Sequence, residues 1–114
     1  MTDYTILFDA NSNVLRFSLR HATTGAPLTG LAFDTTSLVI STIVDNSATA
    51  TAYDVTGSTI ETIAAIGTYA APTATKCRFA AVDGTNHPGL YELHLADARF
   101  SVASSKQLAI SISG

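Results

Sequence analysis

Two histidines and a glutamate lie close together in the stretch NHPGLYELHL at residues 86–95. If this stretch forms a strand, Glu92 and His94 share one face about 7 Å apart, because a strand rises ~3.4 Å per residue. That spacing permits a shared metal ion. His87 lies nearly a strand length from His94, however, and no HExxH or CxxC motif supplies the further ligands that zinc needs. We therefore expect no metal and no cofactor, and we assign His87, Glu92 and His94 to a solvated or partner-facing surface.

The other residues with reactive side chains have ordinary structural interpretations. Cys77 alternates with Phe79 in KCRFAAV, which predicts a small buried hydrophobic residue rather than a nucleophile. The stretch DGTN at residues 83–86 has too few oxygen ligands for an EF-hand calcium loop and is typical of an Asx turn. No GxSxG, SxxK or glycine-rich phosphate loop occurs. The sequence therefore predicts a protein that is not an enzyme and has no catalytic residue.

Exposed aromatic rings would indicate a different function, the stacking of sugars. The chain has no tryptophan, four tyrosines and five phenylalanines, and most of these fall at inward positions of predicted strands. Tyr53 and Tyr69 are the two candidates for a sugar-binding surface. A carbohydrate-binding module therefore stays open as an alternative function.

The composition restricts the class of partner. Charged residues make up only 13% of the chain and the net charge is −3. Six scattered lysines and arginines cannot neutralise many phosphates, so nucleic acid and anionic membranes are poor partners. The single cysteine excludes an intrachain disulfide, as is typical of cytoplasmic folding. No signal peptide and no run of ~20 apolar residues is present, and we expect synthesis in the cytoplasm without membrane association.

Short strands separated by turns recur along the whole chain. In VLRFSLR, Leu15, Phe17 and Leu19 share one face, and LYELHLA and QLAISIS repeat this alternation. Residues 37–44 are rich in β-branched side chains, and apolar residues occur at positions facing both sides of the predicted strand, as in a strand covered on both faces. The strands are predicted at residues 4–8, 14–20, 37–44, 48–55, 59–63, 76–82, 90–96 and 107–113.

Turn chemistry indicates how these strands are connected. Residues 56–58 predict a hairpin between strands 48–55 and 59–63, residues 83–89 predict a second hairpin, and residues 64–75 read as a crossover loop. Asp97 begins a predicted helical turn anchored by Phe100 and Val102. The pattern predicts one all-β domain over residues 1–114, an antiparallel immunoglobulin-like β-sandwich of about seven to eight strands with at most one short helical turn. Residues 1–13 and residues 107–114 are expected to lie at edges of the sandwich.

Gly89 and Tyr91 are predicted to form a structural corner of this sandwich. In immunoglobulin-like domains, a tyrosine near the start of the penultimate strand hydrogen-bonds upstream backbone and seals one end of the sandwich. The stretch DGTNHPGLYEL resembles that arrangement. Leu93 stands where antibody domains have a cysteine, which excludes the disulfide-bearing type.

Three stretches resemble a group of small β-sandwich proteins and domains encoded by tailed bacteriophages and prophages. They are LRFSLRHATTGAPLTGL, KCRFAAVDGTNHPGLYELHLADARF and the closing QLAISISG. The likeness covers residues 14–114. The sequence is also broadly similar to the N-terminal modules of baseplate upper proteins and tail-fibre proteins. The resemblance implies a virion structural or attachment module that docks on other phage proteins and forms homo-oligomers. The sequence ends at Gly114 without the coiled coil of a fibre. We expect either an excised N-terminal module or a protein that acts alone, as a capsid-decorating protein would, so a tail, baseplate or capsid location stays open.

Overall fold

The computed structural model describes residues 2–7 as backbone, and residues 12–100 and 107–114 with side chains. Eight strands and one 3₁₀ turn at Asp97–Phe100 make up the described elements. The predicted all-β class is therefore confirmed. The strands are β1 Thr2–Leu7, β2 Leu15–Ser18, β3 Val39–Val44, β4 Thr51–Asp54, β5 Ile60–Glu61, β6 Cys77–Asp83, β7 His87–His94 and β8 Gln107–Ser113.

The strands form two four-stranded sheets. Sheet A has the order β1-β8-β3-β4, and sheet B has the order β2-β7-β6-β5. Every pair is antiparallel except the two-residue pair of β5 and β6, which is parallel. Within this topology the first and the last strand are neighbours in sheet A, and β2 and β7 are neighbours in sheet B.

The core lies between the sheets and is built by strand alternation. On β2, Phe17 is buried as predicted, and Leu19 follows it into the core. The ring of Tyr91 stacks on that of Phe79 with the centroids 5.0 Å apart. Burying one such large side chain stabilises a fold by roughly 1.5–3 kcal/mol, so these inward positions dominate the stability of the sandwich. The inward residues of the later strands are Ile40, Val44, Tyr53, Ile60, Cys77, Phe79, Tyr91, Leu93, Leu108, Ile110 and Ile112.

The predicted hairpin between residues 48–55 and 59–63 is wrong. β4 pairs with β3 in sheet A, whereas β5 pairs with β6 in sheet B. Asp54 Oδ1 accepts a hydrogen bond from the Gly57 amide at 2.6 Å, and Ser58 adopts a φ of 54°. This tight turn carries the chain from one sheet to the other instead of returning it alongside β4.

The predicted edge at residues 107–114 is also wrong. β8 lies between β1 and β3 and hydrogen-bonds both of them, whereas β1 is an edge strand as predicted. The backbone groups on both sides of β8 are paired, so neither side of this strand is left as an open edge. β3 is buried on its inner face only, because Val39 on its outer face is 36% exposed.

The remaining connections follow the sequence patterns. The hairpin between β6 and β7 is confirmed, with a bulge between Ala81 and Asp83. Residues 64–75 contain no strand, and Phe100 anchors the 3₁₀ turn in the core. Val102, the second predicted anchor, lies outside the described residues. No helix in the described part of the chain is long and apolar enough to cross a membrane.

Candidate functional site: a buried glutamate and histidine

Glu92 and His94 are fully buried, so their prediction as a solvated or partner-facing pair is wrong. Alternation along β7 does place them on the face opposite Tyr91 and Leu93, the outer face of sheet B. Residues 62–73, which we call the covering segment, lie over that face and exclude solvent. The exposed fraction of both side chains is 0%.

Glu92 is the centre of a hydrogen-bond network. Its Oε1 accepts a bond from Arg16 Nε at 3.2 Å, and its Oε2 accepts a bond from the Gly67 amide at 3.0 Å. Oε2 also lies 2.9 Å from His94 Nε2. Arg16 reaches the carboxylate because it stands directly opposite Glu92 in the register of β2 and β7. The carboxylate is thus paired with a cation and bonded to the covering segment.

Both ring nitrogens of His94 are engaged. Nδ1 accepts a hydrogen bond from the Ala70 amide at 3.3 Å, and Nε2 faces the Glu92 carboxylate. The neutral tautomer with its hydrogen on Nε2 satisfies both contacts, because a carboxylate only accepts and an amide only donates. Tyr69 packs on the imidazole with ring centroids 5.3 Å apart and donates its hydroxyl hydrogen to the Leu95 carbonyl at 2.8 Å. No lone pair of His94 is left to bind a metal ion.

Two further polar side chains of sheet B hold the covering segment. Arg78 stands opposite His94 in the register of β6 and β7. Its guanidinium donates to the carbonyls of Thr62 at 3.0 Å and Ala71 at 3.3 Å. Glu61 accepts from the amide and the hydroxyl of Thr73 at 2.8 and 2.9 Å. The polar groups on this face therefore attach a loop that has no secondary structure of its own.

The ionisation of Glu92 reflects this network. Burial alone would raise the pKa of Glu92, but hydrogen bonds from the Gly67 amide, His94 and Arg16 outweigh burial and lower the pKa below its ordinary value of 4.5. The carboxylate is therefore charged near neutral pH. A charged group with this many donors binds and orients backbone; it is a poor general acid.

We expect the free energy of unfolding to decrease in acid because of Glu92. A carboxylate with a lowered folded-state pKa binds fewer protons than the unfolded chain, so its stabilisation is full above 4.5 and is lost as pH falls through the folded-state pKa. Urea denaturation across this range should give a weaker pH dependence for Glu92→Gln than for the wild type. Glu61→Gln is the comparison: the pKa of Glu61 is also lowered, so this variant should weaken the pH dependence as well, but by less, because its carboxylate is not fully buried. Equal pH slopes for Glu92→Gln and the wild type would contradict the assignment.

Gly89 and Tyr91 meet the connection that follows β2. The Tyr91 hydroxyl donates to the Leu28 carbonyl at 2.7 Å and accepts from the Leu31 amide at 3.3 Å. Gly89 has a φ of 86°, and a Cβ atom there would lie 2.8 Å from the Leu19 carbonyl oxygen. The hydroxyl thus bonds backbone 60 to 63 residues upstream and attaches this connection to the end of the sandwich.

Removing that hydroxyl should destabilise the protein. Tyr91→Phe leaves the buried Leu31 amide without its acceptor and the Leu28 carbonyl without its donor, and we expect a loss of about 1–3 kcal/mol in the free energy of unfolding. Denaturant unfolding at neutral pH measures it. Tyr69→Phe is the control, because the Tyr69 hydroxyl bonds one backbone group, the Leu95 carbonyl, and otherwise contacts the Asp97 side chain. A Tyr91→Phe loss no larger than the control's would show that the corner contributes little.

The other predicted site residues stay apart from the network. His87 is exposed at the start of β7, opposite Asp83 in the register of β6 and β7, and does not join Glu92 and His94. Asp83 Oδ1 accepts from the amides of Thr85 and Asn86, which is the expected Asx turn. Across the described residues, no group of three or more histidine, cysteine, aspartate or glutamate side chains is arranged to hold a metal ion.

Cys77 and the two candidate sugar-stacking tyrosines are covered. Cys77 is fully buried, and burial raises the pKa of its thiol to about 12, which favours the unreactive protonated form. Tyr53 is only 2% exposed. Tyr69 lies against His94 and is half-buried. Tyr53 therefore has no exposed ring to stack on a sugar, and the Tyr69 ring already packs against His94.

The sequence interpretation missed Arg16, Gly67 and Arg78 as members of the network. Arg16 and Arg78 occupy outward positions of amphipathic strands, which usually face solvent. Their contacts depend on strand register and on the path of the covering segment, and neither is encoded in a local pattern. No protein-family model, curated protein or solved structure matches the chain significantly.

Proposed function

We propose that this chain is a non-enzymatic structural module of a tailed-bacteriophage virion that docks on tail, baseplate or fibre proteins. The observation that supports it best is the contact between two stretches carrying the phage resemblance. The PLTGL turn supplies Leu28 and Leu31, and the PGLYELHL strand supplies Tyr91, whose hydroxyl bonds the backbone of both. The motifs that suggest the relationship thus form one structural unit.

The two sheets differ in how their outer faces are covered, and this difference suggests the docking surface. Sheet B carries the covering segment, whereas the outward residues of β3 and β8 in sheet A are exposed or half-exposed. We call these outward residues the small-residue face: Val39, Ser41, Ile43, Ala109, Ser111 and Ser113. None of them is charged, so a second protein surface can cover them without stripping water from an unpaired ion.

Docking through this face is the proposed molecular activity. Ser41 and Ser111 stand opposite each other near its middle, as do Ile43 and Ala109. Small side chains permit close approach, and two sheets that pack face to face lie ~10 Å apart. The same surface serves a tail, baseplate or capsid location, since each requires assembly on a protein partner or on further copies of the chain.

Light scattering during size exclusion over increasing concentration tests the proposal, together with binding to purified phage tails and capsids. We expect concentration-dependent association or binding to one of these particles, which Ser111→Arg abolishes. Ala50→Arg is the matched control, because Ala50 is exposed in the loop between β3 and β4. Ala109→Arg provides a second arginine variant on the face. A strictly monomeric protein that binds neither tails nor capsids would overturn the proposal.

A further inference from the structure

A cavity of about 270 Å³ lies where the edge of sheet A faces sheet B, away from the covering segment's contacts with Glu92. Thr51 and Tyr53 of β4 form one wall. Thr75 and Lys76, which precede β6, form a second wall, and Arg99 of the 3₁₀ turn closes the third side. The cavity is therefore assembled from three separate parts of the chain.

The charge of this cavity is one-sided. Lys76 and Arg99 both line it, and none of its lining residues is acidic, although the chain as a whole has a net charge of −3. The larger cavity nearby, of about 460 Å³, is different, because Asp34 and Glu61 there accompany the cations. Two positive groups without a carboxylate attract an anion into a partly enclosed space.

Arg99 differs from Arg16 and Arg78 in the acceptors that surround its guanidinium. Its Nε and Nη2 both lie near a single acceptor, Thr42 Oγ1, at 3.3 and 3.2 Å. Arg16 and Arg78, by contrast, each have a carboxylate oxygen within 3.8 Å. Within the part of the chain that the structure describes, neither Arg99 nor Lys76 forms an ion pair. A half-buried guanidinium with five donors and one hydroxyl acceptor retains capacity for a further acceptor.

Two acidic residues lie near these cations without lining the cavity: Glu61, whose carboxylate interacts with the charge of Lys76, and Asp97, which precedes Arg99 in the 3₁₀ turn. Nine acidic residues are present in the sequence, and among them only Asp3 and Asp9 have undescribed side chains. Asp3 belongs to β1, at the opposite edge of sheet A from β4. The undescribed stretch after Arg99, residues 101–106, contains no acidic residue.

The cavity wall also contains a strained residue. Ala74 adopts a φ of 45° without being glycine and lines the cavity immediately before Thr75 and Lys76. Such conformations cost of order 1–3 kcal/mol and occur preferentially at ligand-binding sites. Ala74, Lys76 and Arg99 thus line the same space.

We propose that this cavity binds an oxyanion, a carboxylate or a phosphate group, between the Lys76 ammonium and the Arg99 guanidinium. Arginine offers a planar pair of donors to two oxygens and lysine adds a point charge, while the hydroxyls of Thr51 and Thr75 are available for the remaining oxygens. The volume suits a phosphate or a short dicarboxylate rather than a large ligand. This activity does not depend on the phage assignment.

Isothermal titration with inorganic phosphate and, separately, with glutarate tests the site at constant ionic strength set with chloride. We expect saturable binding of at least one of them, because both present an oxyanion that chloride does not mimic. The glutarate arm represents a free dicarboxylate or an acidic side chain, and the phosphate arm represents a phosphate group. Arg99→Gln and Lys76→Gln should each weaken binding about tenfold or more, as charge-assisted bonds require.

Arg20→Gln is the matched control, since it removes the same charge from an exposed arginine that donates to the Gly25 carbonyl outside the cavity. The affinity of the Arg20→Gln variant for each anion should equal that of the wild type. Lys76→Gln decides the result if Arg99→Gln fails to fold after losing its bond to Thr42. The proposal would be overturned if neither anion gave a saturable binding curve, or if Arg20→Gln weakened anion binding as much as Arg99→Gln and Lys76→Gln do.

Discussion

Glu92→Ala is expected to lower the free energy of unfolding by about 3–4 kcal/mol, because breaking a buried charged network by removing one partner leaves the others unpaired. The Gly67 amide and His94 Nε2 would lose their acceptor beneath the covering segment. Arg16 contributes less to this loss, since 45% of its side chain is exposed and water screens its charge. Urea denaturation near neutral pH measures the change.

The control for Glu92→Ala is Asp34→Ala, an exposed acid in the connection between β2 and β3. A surface substitution of this kind should change the free energy of unfolding by no more than ~0.5 kcal/mol. Hydrogen exchange gives a local readout, because the amides of Gly67 and Ala70 should lose protection more than those of sheet A. A loss below ~1 kcal/mol for Glu92→Ala would mean that the covering segment is held by other contacts.

Gly89→Ala is expected to cost about 3 kcal/mol in the free energy of unfolding. The left-handed backbone at a φ of 86° costs an alanine roughly 1–2 kcal/mol. The added Cβ would also lie 2.8 Å from the Leu19 carbonyl oxygen and 3.0 Å from Pro27 Cβ. Leu19 cannot easily withdraw, because its carbonyl accepts the Leu28 amide at 2.9 Å and its own amide donates to the Gly89 carbonyl at 2.8 Å.

Gly25→Ala separates the two parts of that cost. Gly25 has a φ of 73°, but no atom lies within 4 Å of the place that an added Cβ would occupy, so only the backbone strain applies there. The difference between the two variants in denaturant unfolding therefore measures the steric part at Gly89. If both variants lost the same free energy, the backbone near Leu19 would be able to move away from the added Cβ at Gly89 without a measurable cost.

The sequence predicts the strands well because their burial follows a period of two. The alternation of Phe17 on β2 with Leu19 just after it, and of Leu108, Ile110 and Ile112 on β8, is a local property of each stretch. The turn at Asp83 is equally local, since its carboxylate bonds amides two and three residues away. These features need no knowledge of the rest of the chain.

The strand partners and the position of the covering segment could not be predicted, because they depend on contacts between residues far apart in the sequence. Nothing local indicates that β5 joins β6 in parallel rather than returning along β4. Residues 64–75 have no periodic pattern, yet their amides at Gly67 and Ala70 bond Glu92 and His94, 24 or more residues further on. An outward glutamate on a strand predicts a solvated side chain, whereas the charge of Glu92 serves backbone donors that only the three-dimensional path brings near.

The position of β8 between β1 and β3 has a consequence for folding kinetics. Sheet A depends on pairing residues 2–7 with residues 107–112, and β3 gains its second neighbour from the same late strand. A contact over such a sequence separation must close a long loop before it is stabilised, which slows folding. Sheet B, whose β6 and β7 form a hairpin, can begin earlier. On a ribosome, β1 and one edge of β3 must therefore wait unpaired for β8, and during synthesis their backbone groups are open to pairing with other chains.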